Sequence, residues 1–79
     1  MRQFALYSTE HCHLCEQAEQ LLINLQHEYE IQWVTTEISD DDNLMDQYGI
    51  RIPVIKCLKT EAELNWPFTR ADILKLIQG

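Results

Sequence analysis

The chain is 79 residues long, 46% apolar, and carries a formal charge of -7. That length makes one domain, 1–79, and so short a chain buries only about 60–65% of the surface its unfolded form exposes. The acidic balance excludes non-specific binding to nucleic acid or to an anionic membrane, since both need a basic face, and no apolar run approaches the roughly 20 residues of a membrane-spanning helix.

Charge is spread unevenly. Residues 1–50 hold ten acids and one base, Arg2, while residues 51–79 hold three acids and five bases. Those five, Arg51, Lys56, Lys59, Arg70 and Lys75, either gather in one region of the fold or scatter over a solvated surface. The start of the chain has one positive charge and a short apolar stretch, too little for a signal peptide. Three cysteines are an odd and low count, unlike a secreted disulfide scaffold. The expected compartment is a reducing cytoplasm.

In chain order, Phe4-Ala5-Leu6-Tyr7 is continuously apolar, as a central strand covered on both faces requires. Apolar residues then recur at Leu14, Ala18, Leu21, Leu22, Leu25 and Tyr29. That is helical spacing, with Gln17, Gln20 and Asn24 off the stripe, and it predicts a helix over 13–27. The β-branched and aromatic run Ile31-Gln32-Trp33-Val34-Thr35-Thr36 predicts a second strand.

Ser39 is the expected cap of a short second helix, and Asp40-Asp41-Asp42 suits the positive end of its dipole. Gly49 should end that helix in the left-handed conformation. A third strand is expected at Pro53-Val54-Ile55-Lys56-Cys57-Leu58, with proline at its start, where no ladder N–H is needed. Lys59-Thr60-Glu61 can turn the chain, and Ala62–Trp66 can return as a hairpin partner. Thr69 with Asp72 resembles a capping box. Ile73, Leu74, Leu76 and Ile77 supply the apolar face of a last helix ending before Gly79. The order is βαβαββα. Cys57, in mid-strand, reads as a small buried hydrophobe, and Trp33 and Trp66 as packing residues.

Cys12-His13-Leu14-Cys15 follows a central strand, opens an amphipathic helix and lies inside a βαβ unit, a context that marks a redox pair. At a helix start, orphan N–H groups and the dipole stabilise a thiolate, which is the reactive form of cysteine. Three residues on, Cys15 lies on nearly the same side and within bonding reach. Cys15 also joins the edge of the buried stripe, while Cys12 precedes it. Cys12 is therefore the expected exposed nucleophile and Cys15 the shielded resolving thiol. His13, if protonated, favours the thiolate, while Glu10 and Glu16 oppose it.

The segment Tyr48-Gly49-Ile50-Arg51-Ile52-Pro53-Val54 is similar to the stretch before the cis-proline of the thioredoxin superfamily. With the C-x-x-C, it makes the chain resemble a minimal thioredoxin fold, nearest to the short glutaredoxin-like proteins. Glu63-Leu64-Asn65-Trp66-Pro67-Phe68 resembles the C-terminal hairpin of that group. The resemblance implies an α/β fold, a four-stranded mixed sheet flanked by helices, with a cis Pro53 packed against the active-site pair. It also implies that Ile52 pairs its backbone with an extended substrate.

Departures from the pattern are specific. The motif lacks proline, and Leu6 and His11 stand where thioredoxins usually carry Asp and Trp. Glutaredoxins that bind glutathione usually have a Lys before the motif and a Gly-Gly-x-Asp near the last helix, and neither is present. Thr69-Arg70-Ala71-Asp72 occupies that last region, so Arg51 or Arg70 is the candidate holder of a glutathione carboxylate, with His13, Ile52 and Pro53 completing the substrate-contacting set.

Two functions follow. One is a thiol–disulfide oxidoreductase or electron carrier acting on protein or glutathione disulfides. It would hold no tightly bound cofactor, take glutathione as a possible co-substrate and work as a monomer. The other is a binding module with little turnover that recruits a partner beside Pro53. A metal site would need further ligands that neither Cys57 nor the histidines are spaced to supply.

Overall fold

The structure, a computed structural model, describes residues 2–78. Met1 and Gly79, the residue before which the last helix is expected to stop, lie outside the described residues. The elements are β1 (Arg2–Ser8), α1 (His13–Gln26), β2 (Ile31–Glu37), α2 (Asp42–Tyr48), β3 (Val54–Cys57), β4 (Glu63–Asn65) and α3 (Arg70–Gln78). This is the βαβαββα order that the sequence predicts. The strands form one mixed sheet in the order β2-β1-β3-β4. β1 pairs parallel to β2 and antiparallel to β3, and β3 pairs antiparallel to β4.

The central strands β1 and β3 are buried on both faces, which is why β1 is apolar without alternation. On one face Phe4, Leu6, Ile55 and Cys57 pack with Ala18, Leu22 and Leu25 of α1 and with Ile73 and Ile77 of α3. On the other, Val54 packs with Ile38 and Tyr48, flanked by Tyr7, Leu44 and Ile52. Cys57 is fully buried in the larger cluster, as its mid-strand position predicts. Burial raises its thiol, but hydrogen bonding to Thr60 and the Lys59 backbone outweighs that and the net shift is downward.

Two local expectations are corrected. Asp41, not Ser39, caps α2, its Oδ1 accepting from the N–H groups of Asn43 and Leu44 at 2.8 and 3.3 Å. The Ser39 N–H instead donates to Glu37 at 3.1 Å, which places Ser39 in the turn before the helix. Gly49 is not left-handed: it has φ -50° and ψ -36°. A Cβ built there would stand 2.5 Å from the Met45 carbonyl oxygen, so the close approach of backbone, not the sign of φ, asks for glycine. The Thr69–Asp72 capping box forms as predicted, with the Thr69 N–H donating to Asp72 Oδ2 at 2.9 Å and the Asp72 N–H to Thr69 Oγ1 at 3.2 Å.

Three of the basic residues of the second half are engaged by acids: Arg51 pairs with Glu63, Lys56 with Glu61 and Arg70 with Glu28.

Candidate functional site: a cysteine pair at the head of α1

β1 ends at Ser8, and the chain turns through Thr9 and Glu10 to His11, whose φ of 59° is left-handed. Among non-glycine residues, His is one of the few types enriched there. That turn sets Cys12 as the N-cap of α1, with extended φ of -103°. Its Sγ accepts the Cys15 N–H at 3.1 Å, so one orphan donor of the helix start points at the sulfur. The two cysteines are joined as a disulfide with Cα atoms 5.2 Å apart. Cys15 is buried and Cys12 half-buried, and Leu14 between them is exposed.

Both sulfur-bearing residues line a cleft of about 220 Å³, together with Leu6, Ser8, Thr9, Glu10, His11, Glu16, Glu19 and Thr35. Glu16 and Glu19 lie on the same line of the helix as Cys12, four and seven residues on. Glu19 is fixed by two donors from β2, Trp33 Nε1 at 3.3 Å and Thr35 Oγ1 at 3.2 Å. Below the loop, Glu37 accepts from the Ser39 backbone and then from Thr9, and these bonds hold its carboxyl below the ordinary range. They tie the end of β2 to the turn that presents Cys12.

The second anchor is the Ile52–Pro53 bond, which is cis, and so is Trp66–Pro67, which no sequence signal suggested. Tyr7 pairs with Val54, the first residue of β3, so Pro53 stands just before that strand, at the sheet end where β1 runs into the cysteine loop. Pro53 is fully buried. Ile52 is half-buried, and its N–H donates to the Tyr48 carbonyl at 3.2 Å.

The turn is braced by side-chain contacts that the sequence does not show. Tyr7 stacks on Tyr48 with centroids 4.2 Å apart. The Tyr48 hydroxyl donates to Glu63 Oε2 at 2.5 Å. Arg51 lies 5.0 Å over the Tyr48 ring. Its Nε donates to the Gln47 carbonyl at 2.9 Å, its Nη1 to Asn65 Oδ1 at 3.4 Å, and its Nη2 pairs with Glu63 at 3.8 Å. Burial first, and then the hydrogen bond and charge of Glu63, push the Tyr48 phenol well above its ordinary value.

His13 and Arg70 each pair with a carboxylate. His13 is exposed and pairs with Glu16, Nδ1 to Oε2 at 3.5 Å, so it faces a carboxylate on its own helix. Arg70 pairs with Glu28, which follows the last turn of α1. At 1.5 Å per residue that end is about 20 Å from the head of the helix, so the Arg70 guanidinium does not join the cysteine pair. Among the described residues, no group of three His, Cys, Asp or Glu side chains is placed to hold a metal ion. No helix among them is long and apolar enough to cross a membrane.

The geometry has close counterparts. The crystal structure of a protein called XcR50 from X. campestris is 31% identical, with 95% of each chain covered and a TM-score of 0.82. The solution structure of protein Ne2328 from Nitrosomonas europaea is 28% identical, covers 96% of this chain and 89% of its own, and also superposes with a TM-score of 0.82. A structure titled only as a malarial protein is 18% identical and shares the fold, with a TM-score of 0.74. No curated protein matches the chain. The pattern of the glutaredoxin-like domain family (DUF836) matches residues 3–78, which takes in all three helices and all of the sheet but Arg2. The chain accordingly belongs to the glutaredoxin-like domain family.

Proposed function

We propose that the chain is a thiol–disulfide oxidoreductase in which Cys12 attacks and Cys15 resolves. The observation that carries this reading is the Cys15 N–H directed at the half-buried Cys12 sulfur from the first turn of α1, with Cys15 buried behind it. A thiolate at Cys12 keeps that donor and the positive end of the helix, while Cys15 has no comparable exposure.

In the reduced protein the Cys12 thiolate attacks one sulfur of a substrate disulfide. The Cys12–substrate bond forms, and the other substrate sulfur leaves as a thiolate. Cys15, giving up its proton, then attacks Cys12 Sγ and releases the second substrate thiolate. Two electrons pass from the dithiol to the substrate, which takes up two protons, and the Cys12–Cys15 disulfide remains. A thiol or dithiol donor restores the pair, and a reducing compartment such as the cytoplasm would provide one. Protein disulfides and glutathione are the substrate classes this chemistry admits.

Trapping tests the roles. Cys12→Ser should lose exchange altogether, while Cys15→Ser should accumulate a mixed disulfide at Cys12, detected by alkylation and intact mass. Turnover coupled to glutathione reductase, compared with thioredoxin reductase, identifies the donor. Equal residual exchange in both variants would refute the assignment, and an intact pair with no turnover would leave a partner-binding module.

A further inference from the structure

We infer that this site prefers disulfides flanked by cationic residues in a polypeptide and disfavours the anionic glutathione disulfide. The inference rests on the exchange reading above and names its substrate class. Among the described residues three carboxylates, Glu10, Glu16 and Glu19, line the cleft that holds both cysteines, and no Lys or Arg does. The one cation-former lining it among those residues is His11, and His13 outside it already faces Glu16. Arg51, beside the Ile52–Pro53 turn, is engaged by Glu63, Asn65 and Gln47.

Glu19 is anchored between α1 and β2 by Trp33 and Thr35, so its charge stays at the cleft and does not swing away with a free side chain. A narrow cleft lined by one sign of charge focuses its field on whatever approaches the buried end, and it concentrates the opposite charge there. Oxidised glutathione has more carboxylates than ammonium groups and meets repulsion from all three glutamates. A cystine beside Lys or Arg meets attraction. Apolar surface suited to a polypeptide is also exposed near the pair in sequence, for Leu14 between the cysteines is 44% exposed and Ile50, three residues before Pro53, wholly exposed. Apolar side chains on an extended segment can cover both.

The test uses the reduced chain and three disulfides: a peptide cystine dimer flanked by lysines, the same peptide flanked by glutamates, and oxidised glutathione. Rate constants come from acid quench, alkylation and mass spectrometry. The lysine peptide should react at least about tenfold faster than the glutamate peptide at low salt, the gap closing as ionic strength rises to about 0.3 M. Glutathione disulfide should group with the glutamate peptide.

Glu10→Gln, Glu16→Gln and Glu19→Gln, singly and together, should lower the lysine-to-glutamate ratio. That ratio cancels any common change in the nucleophilicity of Cys12. The salt dependence of the unaltered chain reads the same effect without relying on a variant that folds. A ratio near one, or one unmoved by salt and by the three substitutions, overturns the charge preference while exchange stands. If none of the disulfides reacts faster than with Cys12→Ser, the exchange reading itself fails and takes the preference with it.

Discussion

Tyr48 is buried against Tyr7, and its hydroxyl is bonded to the Glu63 carboxylate, so ionisation would put a phenolate against a negative charge. Its value in the folded chain is accordingly raised above the ordinary 10.0. The folded state keeps a proton that the unfolded chain releases, so the linked stability is fully present below about pH 10 and is lost as pH rises past it. Denaturant midpoints should therefore fall from about pH 10 upward. Tyr48→Phe, about 1 kcal/mol less stable at neutral pH for want of the hydrogen bond, should show a shallower fall, and an unchanged slope would refute the account. At this scale the cysteines were legible because three-residue spacing is a covalent fact. The Tyr48–Glu63 and Glu19–Trp33 pairs were not, because each joins positions that only the folded sheet brings together. Glu16 and Glu19 did leave a trace, at helical spacing from Cys12.

Helix starts show how an element and its chemistry share one atom. Cys12 Sγ is both the proposed attacking sulfur and the acceptor that caps α1. In Cys12→Ser a hydroxyl keeps the acceptor, whereas in Cys12→Ala it is gone. Under reducing conditions the alanine variant should be about 1 kcal/mol less stable than the serine one, by urea denaturation, although both lack exchange. Equal stabilities would mean the sulfur contributes nothing to the cap. At the end of α2, Gly49→Ala should cost about 1–3 kcal/mol despite its helical φ, because the added Cβ meets the Met45 carbonyl. A stabilised variant would show that the backbone there yields. The sequence marks that glycine is needed at this point, but the reason lies in how closely the chain folds back on α2.

Taken whole, the domain has little stability to spare. Leu22 is fully buried between α1 and the sheet, and Leu22→Ala should cost about 2–5 kcal/mol. A domain this small holds on the order of 5 kcal/mol in all, so the variant should be largely unfolded or close to it by circular dichroism at 37 °C. A fully folded variant would mean that the core closes around the gap. The acidic excess of the first half carries a local consequence as well. Three of its glutamates line the cysteine cleft, while several of the bases downstream are taken up by acids elsewhere.

By itself the sequence determined the order of elements, the two-sided burial of β1, the cysteine pair and its helix, and the α3 capping box. All of these follow from periodicity or from spacing within a few residues, where chain connectivity does the placing. Tertiary structure alone decided that Asp41 caps α2, that Trp66–Pro67 is cis, and that the Arg70 side chain turns to Glu28 at the far end of α1. It also decided which carboxylates line the cleft of the cysteine pair. Those outcomes depend on which of several competent groups the packing brings within hydrogen-bond or Coulomb range, a distance in space that no interval along the chain records.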